Sequence, residues 1–127
     1  MVDASVLIAT IDSRDVHHQR ATEELRAVRK RHALALPAVA FSEALVAPYL
    51  ASRSEGLSIE GGLRRLGRIE PITEVIASRA AQLRAKRQMK LPDALILATA
   101  AELRANEILT FDERWASVDP RVRILTP

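Results

Sequence analysis

Lys90-Leu91-Pro92-Asp93-Ala94-Leu95-Ile96-Leu97-Ala98-Thr99-Ala100 holds a single acid, Asp93, within a run that is otherwise apolar after its leading lysine. Pro92 suits the first turn of a helix, where its missing N–H costs nothing. From Ala94 to Ala101 the pattern is apolar on nearly every side, which is the signature of a buried helix. A carboxylate at the head of such a helix gains from the N-terminal dipole. A charge beside a core is still costly unless it is capped, paired or bound to a metal. An ordinary helix-capping Asp is the plain alternative. The rest of the chain decides whether other carboxylates come to the same place.

Upstream, Met1-Val2 is the end of a strand running into Asp3-Ala4-Ser5, and Val6 to Ile11 forms a short apolar helical turn. His17 to His32 reads as an amphipathic helix with Ala21, Leu25 and Val28 on one face. A strand over Ala33 to Leu36 stops at Pro37. A helix over Ala38 to Leu50 contains Glu43, with a kink expected at Pro48. Ser58 is a candidate cap for a helix ending near Leu66, although Gly61-Gly62 weakens it. Ile69 to Ile72 forms a short strand. Thr73 or Glu74 opens a helix to about Gln88, with Val75, Ile76, Ala80 and Leu83 inward. Beyond the Asp93 helix, Asn106 is a stop, Glu107 to Thr110 a strand, Phe111 to Trp115 a turn, and Arg123 to Leu125 a last edge strand.

Strands that alternate with helices imply a parallel sheet covered on both faces. The expected fold is a single α/β domain over residues 1–127, three layers deep (α/β/α), with a mostly parallel central sheet of four to five short strands. Ligands in such folds bind beyond the carboxyl ends of the strands. Asp3 and Asp112 directly follow strands, and Glu43 lies on the helix after one. Asp93 reaches the same rim if its helix starts there. Four carboxylates in one cleft raise each other's pKa and call for a compensating cation. All-oxygen donors select Mg²⁺ or Mn²⁺ over Zn²⁺. Such ions activate water and stabilise the leaving oxygen of a phosphodiester. Ser5 and Thr110, each two residues from a rim Asp, are placed to orient a carboxylate or a metal-bound water; simple turn chemistry is their plain reading.

Composition narrows the field. The 127 residues suit one domain with a proper core, and 48 % apolar content argues against disorder. Aromatics make up only 3 %, which disfavours a stacking platform for single strands. There is no cysteine, hence no disulfide, thiolate metal site or Cys nucleophile, and this fits a reducing cytoplasm. The N-terminus lacks the basic region of a signal peptide, and no apolar run is long enough to span a membrane. The net charge of +3 is compatible with a phosphate-bearing partner, although an arginine-rich, GC-rich coding bias produces the same balance.

Asp3-Ala4-Ser5, Phe41-Ser42-Glu43, Leu91-Pro92-Asp93-Ala94-Leu95-Ile96-Leu97-Ala98 and Leu109-Thr110-Phe111-Asp112-Glu113-Arg114-Trp115 occur in one order across nearly the whole chain. Together they resemble a PIN domain, and more narrowly the VapC toxins of toxin–antitoxin pairs. Each motif alone is weak, and the ordered set is fairly specific. The resemblance implies that Asp3, Glu43, Asp93 and Asp112 bind Mg²⁺ or Mn²⁺ and that the protein cuts RNA. It also implies a homodimer and a cognate antitoxin that fills the site. One departure is that only Met1 and Val2 precede Asp3, so the first strand is very short or the chain as given starts late.

Other acids and bases read more plainly. Asp12 and Asp15 form a loop and helix-start pair, Glu113 is a weak candidate beside Asp112, and His17-His18 reads as surface. Arg26/Arg29/Lys30/Arg31, Arg64/Arg65/Arg68 and Arg84/Lys86/Arg87/Lys90 read first as solvated faces. The last group ends next to Asp93, so Arg87 and Lys90 are the candidate RNA-backbone contacts. A phosphoacceptor receiver domain needs a second acid on strand one and a late Lys-Pro, both absent. A haloacid-dehalogenase-type phosphatase needs Asp-x-Asp, and Ser5 holds the third position. A metal-dead RNA- or protein-binding module and a DNA-directed metal nuclease remain as alternatives.

Overall fold

The computed structural model describes residues 1–127. The helices are α1 (Ala4–Ile11), α2 (His18–Arg29), α3 (Ala38–Ala51), α4 (Arg53–Leu66), α5 (Glu74–Arg87) and α6 (Leu91–Leu103). The strands are β1 (Ala35–Pro37), β2 (Arg68–Glu70), β3 (Ile108–Thr110) and β4 (Val122–Ile124), and a 3₁₀ turn spans Glu113–Trp115. β1 pairs parallel with β2, and β3 parallel with β4. The N-terminus joins the two pairs. Val2 forms a parallel bridge to Leu109 and donates its N–H to the Ala35 carbonyl. The lateral order is therefore β2, β1, Met1-Val2, β3, β4.

The first strand is thus a two-residue splice at the centre of the sheet. Asp3 N–H donates to the Leu109 carbonyl at 3.1 Å, and Leu109 N–H donates to the Met1 carbonyl at 2.9 Å. The Met1 ammonium donates to the Glu107 carbonyl at 2.9 Å, and burial pushes it below its usual pKa. Val2, Val6, Leu7, Leu36, Ile108 and Leu109 are buried around this splice, with Ile96 and Leu97 of α6 in the same core.

Several expectations shift at element ends. α4 starts at Arg53 with Ser52 as its cap, and Ser58 lies within the helix. The Ser52 side chain accepts from Glu55 N–H at 3.0 Å, so one orphan donor of the first turn is satisfied. Gly56 explains the missed turn. A Cβ there would lie 2.2 Å from the Tyr49 ring, so α4 packs on α3 only with glycine at that position. α3 carries Pro48 inside the helix and runs to Ala51, one residue past its expected end. β2 ends at Glu70, before Pro71. α6 ends at Leu103, and its C-cap Arg104 takes the left-handed region at φ 52°, two residues ahead of Asn106. His17 and His18 are half-buried rather than on the surface. The His17 ring stacks on Phe111 at 4.3 Å, and His18 Nδ1 lies 2.8 Å from the Ala9 carbonyl oxygen.

Candidate active site: an acidic rim at the strand ends

Asp3 ends the Val2 splice and caps α1. It is 5 % exposed. Its Oδ1 accepts from Ser5 N–H (2.9 Å), Ser5 Oγ (2.6 Å) and Val6 N–H (3.4 Å). Its Oδ2 accepts from Thr110 Oγ1 at 2.6 Å. A carboxylate offers about four lone-pair directions, so Oδ2 keeps one free. Burial pushes the Asp3 carboxyl above its ordinary pKa, against the opposing pull of the Ser5 and Thr110 hydroxyls.

The two hydroxyls also stitch Asp3 to the next rim acid. Thr110 Oγ1 accepts from Asp112 N–H at 3.0 Å, and Ser5 Oγ accepts from Phe111 N–H at 3.0 Å. The backbone leaving β3 is thus pinned over the start of α1. Asp112 then caps the 3₁₀ turn through Arg114 N–H.

Glu43 projects from the second turn of α3. Its carboxyl is raised first by partial burial, then by the negative charges of Asp93 and Asp3. Asp93 lies in the first turn of α6, where Lys90 is the cap position and Pro92 is in the first turn. The capping reading of Asp93 therefore fails. Its carboxyl is raised first by burial and then by Asp112, with Arg114 and Lys90 pulling the other way. Neither Glu43 nor Asp93 draws any hydrogen-bond support. Through these mutual effects the four acids form one electrostatic neighbourhood: Glu43 feels Asp93 and Asp3, and Asp93 feels Asp112.

Asp112 is the exception, held below its ordinary pKa chiefly by hydrogen bonds from Arg114. Arg114 Nη2 reaches Oδ2 at 2.6 Å, and Nε reaches Oδ1 at 2.9 Å. Arg114 was not singled out in the sequence, although the Asp-x-Arg spacing was there to read. Asp93, Lys90 and Arg114 share a cavity of about 260 Å³ with Gln88, Met89, Trp115 and Val118. Glu43 opens onto a second cavity of about 210 Å³ lined by Ile8, Ile11, Arg14, Pro48 and Ile59. A cavity of about 400 Å³ lies by Met1, Ala33 and Glu107, at the opposite ends of the strands and away from the acids.

Of the remaining candidates, Arg87 donates to the Val118 carbonyl and lies beside the Asp93 cavity. Asp12 pairs with Arg14, and Asp15 accepts from His17 N–H. No group of three or more His, Asp or Glu side chains converges tightly enough to grip an ion as it stands.

The PIN-domain family matches residues 1–120. The chain belongs to the PIN-domain family. Two solved structures are similar to this PIN domain. One is a toxin–antitoxin complex from Klebsiella pneumoniae, at 28 % identity and TM-score 0.74, covering 98 % of this chain and 96 % of that one. The other is the VapC20 toxin of Mycobacterium tuberculosis, described as cleaving the sarcin–ricin loop. It shares the fold at TM-score 0.73 with 15 % identity, over 92 % of each chain. No curated protein matches the chain in sequence. No helix of this PIN domain is long and apolar enough to cross a membrane.

Proposed function

We propose that this PIN domain is a VapC-type endoribonuclease, the toxin of a toxin–antitoxin pair, acting in the cytoplasm. The observation that carries the proposal is the rim itself. Asp3, Glu43 and Asp93 are each pushed towards neutrality by burial, and Glu43 and Asp93 also by neighbouring acids. Such a cluster stays ionised at neutral pH when a cation joins it.

The donor chemistry of the rim suits a hard divalent ion, although the acids would have to draw together to hold it. Every donor is a carboxylate or hydroxyl oxygen, and Asp3 Oδ2 keeps an open lone pair after its one hydrogen bond. Asp3, Glu43, Asp93 and Asp112 would hold Mg²⁺ or Mn²⁺, with Ser5 and Thr110 fixing Asp3. When bound, such an ion supplies Lewis-acid activation of water and charge neutralisation at the phosphodiester. The chain's own part is positional. The Asp3 hydrogen bonds hold one carboxylate in place, and Lys90, which lines the Asp93 cavity, and Arg87, which bonds to Val118 of the same cavity wall, would meet the RNA backbone. Hydrolysis on this pattern leaves a 5′-phosphate on one product.

A protein partner also has a place to dock. Val46, Leu50 and Leu57 are exposed on the α3–α4 hairpin, with Leu50 at 82 %. This supports a second copy of the chain or an antitoxin covering that face.

The test is cleavage of a structured RNA pool by antitoxin-free protein in Mn²⁺ and in excess EDTA, with folded Asp93→Asn alongside. Cutting that needs Mn²⁺ and vanishes in the variant is the expected result. Folded wild-type protein that cuts no RNA would favour the binding-module reading, and cutting of DNA alone would favour the DNA-directed nuclease.

A further inference from the structure

Three Asp-x-Arg turns occur in the chain. In each, the Arg N–H donates to the Asp carboxylate and the guanidinium closes an ion pair. The pairs are Asp12–Arg14, Asp112–Arg114 and Asp119–Arg121. The turn is therefore a local motif in its own right. The Asp112 copy differs in where it sits. Arg114 also feels the charge of Asp93, and its side chain lines the cavity that Asp93 and Lys90 open onto. Its side chain is 74 % exposed, so little packing holds it in place. Both Asp112 oxygens are engaged by this one guanidinium. A cation reaching Asp112 must displace it, and the freed guanidinium is then already in the groove with Lys90.

We propose that Arg114 is a built-in counter-ion that competes with the divalent cation for Asp112 and, once displaced, becomes a phosphate ligand for RNA beside Lys90. The inference rests on the metal-nuclease reading above. It makes metal and RNA binding mutually reinforcing, because the ion converts a spent arginine into a free one. A planar guanidinium suits either role, since it matches carboxylate and phosphate oxygens alike.

The experiment measures Mn²⁺ affinity by calorimetry for wild type, Arg114→Gln, Arg114→Lys and the control Arg121→Gln. Arg114→Gln is expected to bind Mn²⁺ about two- to fivefold more tightly, the range of an exposed ion pair. Arg121→Gln is expected to match wild type. A second measurement follows quenching of Trp115, the sole tryptophan and a wall of the groove, by a 5′-phosphorylated RNA tetranucleotide. In Mn²⁺, the slope of log affinity against log salt should fall by about 0.7 in Arg114→Gln, one phosphate's worth for a single strand. In EDTA the variant and wild type should have the same slope. Equal Mn²⁺ affinities for wild type and Arg114→Gln, or equal salt slopes in Mn²⁺, would overturn the proposal while leaving the nuclease standing. Wild type that binds no Mn²⁺ would remove the metal site itself, and this proposal with it.

Discussion

The acidic rim has two halves built on opposite rules. Asp3 is buried and accepts four hydrogen bonds from Ser5, Val6 and Thr110. Glu43 and Asp93 accept none, and nearby negative charge adds to burial in raising their carboxyl groups. One half is framework that also carries a charge, and the other is charge without framework. A fold gains stability from the first and tolerates the second for another reason, and the reason proposed here is the binding of a cation. Substitutions in the two halves should therefore change stability in opposite directions.

The largest effect is expected at Asp3→Ala. The change removes the α1 cap and leaves the donors of Ser5 and Thr110 without their acceptor. A loss of about 2–4 kcal/mol is expected, read as a lower urea midpoint. Thr110→Val keeps shape and takes one donor from Asp3 Oδ2 and the acceptor from Asp112 N–H, in a side chain that is fully buried. It should cost about 1–3 kcal/mol. A loss from Asp3→Ala no larger than a surface substitution would break the contrast between the two halves.

A smaller effect lies away from the rim. Glu24 is 9 % exposed and pairs with Arg20 and Arg123, tying α2 to β4. The Arg123 hydrogen bond, above all, holds its carboxyl below the ordinary range. Its stabilisation is therefore present above the unfolded-state pKa and is lost as pH falls through the lower folded value. Glu24→Gln should cost about 1 kcal/mol at pH 7 and progressively less in acid, as shown by urea titrations across pH.

The smallest effect has the opposite sign. The Glu43 pKa is raised in the fold, so its favourable contribution is full below the unfolded value and disappears as pH rises through the folded one. At pH 7 the ionised group costs stability, and metal-free Glu43→Gln should be slightly more stable, by roughly 0.5 kcal/mol or less after solvent screening. The gain should vanish near pH 4. Glu43 is the cleaner probe here, because Asp93 also gains from the α6 dipole, which opposes its burial cost.

Much of this was legible in the chain. Thr73 caps α5 as its position suggested, and α6 begins where Pro92 allows. The alternation of strands and helices carried Asp3, Glu43 and Asp112 to one rim, because parallel strands share their carboxyl ends. The start of α4 was hidden, since Gly56 lowers helix propensity and is explained only by the Tyr49 ring packed against it. Arg114 was hidden for a different reason. An Asp-x-Arg pair closes only when the turn between its members is formed, and sequence spacing does not report turn conformation. The first strand was visible as two residues, and its role as the link between the two strand pairs emerged only from its hydrogen bonds.

The most direct measurement is the thermal midpoint of wild type, Glu43→Gln and Asp93→Asn as Mn²⁺ is raised from an EDTA-treated start. A cation-binding rim predicts that wild type rises with Mn²⁺ as bound-state stabilisation requires, while both variants respond far less. A wild-type midpoint that stays flat, or variants that rise equally, would contradict the assignment of Glu43 and Asp93 to a metal site.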